Sequence, residues 1–152
     1  MAEFTYNPIQ LVEPNQNVIF DTTIGCNRGY VLHREGSGLV TLRGIVNSTC
    51  GCFARYQVTF NGNIAVPEDG TVGAIAVALA IDGEPIQTSR AIVTPAAVDE
   101  YFNVTSTAII KVPRGCCFSV SVDSVPATTD PTVTPAPIIE AQNVNIVVNR
   151  IA

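Results

Sequence analysis

Tryptophan is absent, histidine and methionine occur once each, and one lysine stands beside seven arginines in a chain of 152 residues. Charged residues make up only 14% and the net charge is -5, so the clustered cations that a nucleic-acid footprint needs are missing. A surface this poor in charge leaves more of itself for protein partners than a solvated monomer ordinarily does. No apolar run approaches the roughly 20 residues of a membrane helix, so no membrane partner is expected. Also missing are a phosphate-binding glycine loop, a dinucleotide fingerprint and an EF-hand loop, so no cofactor is expected.

Chemistry is equally scarce. His33, beside Arg34 and Glu35 at a predicted hairpin turn, has no nucleophile elbow to serve and reads as a surface residue. The acids Asp69, Asp82, Glu84, Asp99 and Glu100 are scattered over turns with nothing to mark a glycosidase pair. No catalytic residue is assigned, and the chain reads as a non-enzyme. Residues 1–8 have neither the basic nor the apolar region of a signal peptide, which predicts synthesis in a reducing cytoplasm. The sequons at Asn47 and Asn103 are then accidental.

What the chain does have is alternation. Over residues 71–83, Ile75, Val77, Leu79 and Ile81 fall on one face of a strand, and Ala74, Ala76, Ala78 and Ala80 on the other. Turn signals on both sides (Pro67-Glu68-Asp69-Gly70 and Asp82-Gly83) and the β-branched bulk argue for a central strand over a helix. The bulky face is assigned to the subunit's own core. The alanine face is expected to meet a neighbouring subunit at close range, or else to be covered by residues 1–16.

Those first sixteen residues, with Pro8 and Pro14, read as an extended N-terminal arm: an edge strand, or a segment reaching another subunit or a capsid or surface-lattice protein. Strands are predicted at 17–22, 29–33, 38–46 and 53–66, with Asn61-Gly62-Asn63 as a bend or bulge in the last. Others follow at 86–89, 101–112 and 116–122. Residues 124–140, carrying Pro126, Pro131, Pro135 and Pro137, form a surface loop before a final strand at 141–151. Eight to ten strands without an amphipathic helix predict an all-β antiparallel sandwich over 17–152, a jelly roll by strand count. An immunoglobulin-like sandwich fits less well, since it expects a tryptophan between two cysteines.

The cysteines are Cys26, Cys50, Cys52, Cys116 and Cys117. An odd number without a secretory signal argues against a complete disulfide framework, and the C-x-C and C-C spacings match no zinc pattern, so no metal is assigned. Cys50, Cys52, Cys116 and Cys117 are left as a candidate disulfide or thiol cluster, with reduced, buried thiols as the default.

The segments Val77-Ala78-Leu79-Ala80-Ile81-Asp82-Gly83-Glu84-Pro85, Ile110-Lys111-Val112-Pro113-Arg114-Gly115 and Val144-Asn145-Ile146-Val147-Val148-Asn149-Arg150-Ile151 resemble the TNF/C1q-like jelly-roll domains, especially those of bacterial spore surfaces and phage virions. The resemblance spans residues 17–152, and no collagen-like Gly-X-Y repeat precedes it. It implies a homotrimer packed through sheet faces. The expected role is a structural assembly protein of a virion, as capsid decoration or head fibre, or of a cell or spore surface. The alternative is a carbohydrate- or receptor-binding module using the 124–140 loop, against which stands the lack of aromatics there.

Overall fold

The computed structural model describes residues 1–25, 29–45, 51–128 and 137–151. They form two antiparallel sheets. In the first, β10 (Phe102–Pro113), β6 (Phe53–Ala65), β12 (Ile139–Arg150), β1 (Ala2–Tyr6) and β3 (Thr22–Ile24) lie side by side in that order, and β2 (Gln10–Val12) pairs with the start of β12. In the second the order is β4 (Val31–His33), β5 (Val40–Arg43), β11 (Cys117–Val125), β7 (Ile75–Ile81) and β8 (Glu84–Pro85), with β9 (Ala91–Val93) also on β7. A single 3-10 turn, Gln87–Ser89, is the one helical element among the described residues. The all-β jelly-roll sandwich expected from the alternation is the fold.

Alternation explains the core. From β6 come Tyr56, Val58, Phe60 and Ile64, from β12 Val144, Ile146 and Val148, and all are buried. They face Val40, Leu42, Ile75, Val77, Leu79, Val120 and Val122 of the second sheet, so the bulky face of β7 fills the subunit's own interior. Tyr56 ties the two layers together: its ring is in the core, and its hydroxyl donates to the carbonyls of Arg43 and Tyr30.

Several expectations are corrected. The first residues are a strand within the sheet, not an arm: Ala2–Tyr6 is hydrogen-bonded between β12 and β3, and Phe4 is fully buried. Further along the expected arm, β2 pairs with β12 along one edge and leaves Leu11 exposed. Residues 17–21 bury Val18 and Phe20 and make isolated bridges, Asn17 to Asp123 and Phe20 to Ser37, and the ladder with β1 begins only at Thr22. The Asn61-Gly62-Asn63 unit does not bend β6. The irregularity sits on its neighbour, where Asn143 has φ 50° and the register slips between Gln142 and Asn145. Gly62 faces that bulge, and a Cβ on it would lie 2.7 Å from Val144 Cγ1. Glycine is there to admit the displaced valine. At the C-terminal side, β11 runs on to Val125 and β12 begins at Ile139; residues 129–136 of the predicted loop lie outside the described residues.

Candidate assembly faces and the thiol end

Ala80, Ala78 and Ala76 lie opposite Ser121, Asp123 and Val125 of β11, on the side of the second sheet that faces away from the core. All three alanines have no accessible surface within one chain, and Val125 with the partly buried Ala127 packs on Ala76 and Ala78. An atom that no solvent reaches within the monomer has nothing left to offer a neighbour. The expected interface at Ala74, Ala76, Ala78 and Ala80 is therefore corrected to an intramolecular layer at the last three, while Ala74 precedes the strand and is exposed. The small side chains let the protein's own Val125 and Ala127 approach Ala76 and Ala78 closely. Asp123 is caught in the same layer at 6% exposure and accepts a 2.7 Å hydrogen bond from Ser121 Oγ. Burial raises its carboxyl above the ordinary carboxylate range, and the serine hydroxyl opposes this in part.

The outward face of the first sheet has a different character. One row across it is Thr107, Thr59, Val147, Glu3 and Ile24; the next is Thr105, Asn61, Asn145, Thr5 and Thr22. Ten positions carry a single charge. Their polar groups are largely satisfied within the sheet: Thr59 Oγ1 and Thr107 Oγ1 are 3.0 Å apart, Thr105 Oγ1 donates to Asn61 Oδ1 at 3.0 Å, and Asn145 Nδ2 donates to Glu3 Oε1 at 2.9 Å. Asn145 Oδ1 is buried without a partner. Ile24 and Ile109 lie exposed on this face. Covering these two rows desolvates few unpaired polar atoms and one carboxylate, the condition for a low-cost interface, while Arg55 and Lys111 lie on the same face towards its end.

The remaining sequence candidates fall into structural roles. His33 ends β4 and is not in a turn. Its ring lies 4.5 Å from that of Phe4 and 6.4 Å from that of Phe20, Nε2 donates to the Ser37 carbonyl at 2.9 Å, and Nδ1 is buried without a partner. Asp82 Oδ1 accepts from the Ser119 amide and Glu100 Oε2 from the amides of Ala96 and Ala97. Tyr101 donates to Glu140 Oε2 at 2.8 Å, and burial together with that carboxylate pushes its phenol up to about 12. Cys52, Cys116 and Cys117 are free and exposed, which corrects the buried default. The Arg114 amide donates to the Cys52 carbonyl, and Cys117 lies opposite Arg43, so these thiols gather at one end of the sandwich; Cys26 and Cys50 lie outside the described residues. Among the described residues no group of three or more His, Cys, Asp or Glu is placed to hold a metal ion.

Two sheets in this order define a jelly roll of the TNF/C1q type. Solved structures bear this out: the globular domain of zebrafish complement 1qA matches with a TM-score of 0.55 at 11% identity, over 96% of this chain and 94% of that one. The Eiger TNF of S. frugiperda matches with a TM-score of 0.64 at 11% identity, over 100% of this chain and 92% of that one. At such identity the likeness is one of fold. No family model matches the sequence, and no curated protein does.

The face of the first sheet was not found by sequence reasoning. Its signal was present as threonine and asparagine alternating with core residues along 57–63, 103–107 and 143–149, but only the register brings them into rows.

Proposed function

We propose that this chain is a non-catalytic structural subunit that assembles as a homotrimer through the outward face of its first sheet. The observation that carries the reading is the pair of five-residue rows with one carboxylate between them, Glu3, whose oxygen is already engaged by Asn145. Low charge over the whole chain supports it, as does the jelly-roll fold, and with the alanine face covered the central rows of this sheet are the neutral patch that remains among the faces described. The setting we infer is a virion, as capsid decoration or head fibre, or another surface filament; the sequence resemblance supports this, and peptides of the chain in purified particles test it.

Val147 sits at the centre of the rows and its side chain faces outward. Sedimentation equilibrium should give three times the chain mass for the wild type and one chain mass for Val147→Arg, because a guanidinium without a partner is not readily desolvated. The variant should keep its fold, since a substitution on the solvent side of a strand changes monomer stability by less than about 1 kcal/mol. A wild type that is monomeric at micromolar concentration, or an arginine variant that remains trimeric, would sink the proposal.

A further inference from the structure

Charge is unevenly placed along the strands. At the end where β6 begins and β10 and β12 finish stand Arg43, Arg55, Lys111, Arg114 and Arg150, five of the eight lysines and arginines in the chain. Lys111 lies directly opposite Arg55, and Arg114 follows in the next turn. No acid occurs in the segments 43–45, 52–57, 111–117 or 149–151 that build this end; Asp82 and Glu84 flank it on the neighbouring turn, and the Asp82 carboxylate is held by the Ser119 amide. Arg150 stacks on the Tyr30 ring and Arg43 donates to the Gly29 carbonyl, whereas Lys111 and Arg55, like charges on neighbouring strands, persist where solvent or a partner anion screens them.

The opposite end is the complement. Glu13, Glu68, Asp69, Asp99, Glu100 and Glu140, six of the thirteen acids, lie where β6 finishes and β10 and β12 begin; the Asp99 amide donates to the Val66 carbonyl there, and Glu140 pairs with Ala65. No lysine or arginine occurs in 10–14, 64–71, 99–103 or 137–141. This end also opens into an apolar cavity of about 400 Å³ between Leu11, Val66, Pro67 and Ile138, with Asp69 on its rim. Leu11 is 63% exposed there. On the basic end an exposed apolar side chain is Phe53, 45% exposed, on the same face as Arg55 and opposite Pro113 at the start of the Arg114 turn.

We propose that copies of this chain stack head to tail, the basic end of one seated on the acidic end of the next, with Phe53 entering the Leu11–Ile138 cavity. The occupant is another copy because the two ends are opposite in charge and each presents exposed apolar surface, Phe53 on one and Leu11 with Ile138 on the other. Such a contact joins unlike surfaces and does not close on itself, so it builds a linear filament. It uses the Phe53, Arg55 and Lys111 margin of the outward face, two rows beyond the central rows of the sheet-face contact, which would set the thickness of the filament rather than its length. The net charge of -5 repels copies at a distance, so the contact must come from the ends and must be sensitive to salt.

Sedimentation velocity and light scattering of the full chain test this at about 20 mM and about 500 mM salt, which move the screening length from roughly 20 Å to a few ångströms. The mass at high salt reads the sheet-face assembly alone; growth above it at low salt reads stacking. Wild type is expected to grow at low salt, with end-to-end association weakened at least tenfold at high salt. Lys111→Glu with Arg114→Glu reverses the charge beside Phe53, and Glu68→Lys with Asp69→Lys reverses it at the rim of the cavity, so neither variant alone offers matching charge around the inserted ring. Each double variant alone should stay at its high-salt mass, and an equimolar mixture should regain growth. Wild type that does not grow at low salt, growth that either double variant leaves intact, or a mixture of folded variants that stays short would each overturn the proposal.

Discussion

Replacing Ala78 by leucine asks directly whether the alanine layer is closed by its own chain. Ala78 has no accessible surface, lies opposite Asp123, and shares a small cluster with Ala76, Val125 and Ala127. Three added carbons have no void to enter, so Val125 and the segment after it must lift. Overpacking of this kind costs about 1–3 kcal/mol, and in a chain of this length each kcal/mol lowers Tm by about 2–4 °C, so a fall of roughly 2–12 °C is expected. The same substitution should leave the oligomeric mass unchanged, because the sheet that carries it faces the other way. Melting followed by circular dichroism, with sedimentation equilibrium at the same concentrations, reads both quantities. An unchanged Tm with a weakened oligomer would refute the reasoning and return the alanines to a subunit interface.

Asp123 adds a dependence on pH. Its folded carboxyl titrates above the ordinary value of 3.8, so the folded state holds its proton more tightly than the unfolded chain. Stability from this group is complete below the unfolded value and is lost as pH rises through the folded one. Urea midpoints of the wild type relative to Asp123→Asn should fall from pH 4 towards neutrality; parallel profiles would contradict the burial of the charge. Tyr56→Phe keeps the ring and removes the hydroxyl that donates to Arg43, and should cost about 0.5–1.5 kcal/mol in the same urea assay with no change in assembly.

How much of this was legible beforehand follows from the range of each signal. Strands β7, β10 and β12 announce themselves because one residue in two is aliphatic, and the pattern needs no partner to be read. Strand β1 was hidden because five residues of alternation, Ala2 and Phe4 against Glu3 and Thr5, are outweighed by the prolines that follow. Gly62 looked like a bend because its reason lies on another strand, in the Val144 side chain opposite it. The alanine layer was recognised as a site of close approach, but its owner was not, since composition records how near a neighbour comes and not which chain it belongs to. The same holds for the two ends: the five cations are spread from residue 43 to residue 150, and only the antiparallel register collects them.

The pairing of β1 with β12 sets Ala2 beside Val148, so both chain ends leave the sandwich on its basic side. Anything fused to either terminus is then carried over Arg55, Lys111 and Arg114, while the Leu11–Ile138 cavity stays open. In an assembly with cyclic symmetry every fused domain would emerge in the same direction. A bulky tag at either terminus would act as a chain stopper of defined polarity, and a cleavable one would make growth begin on demand.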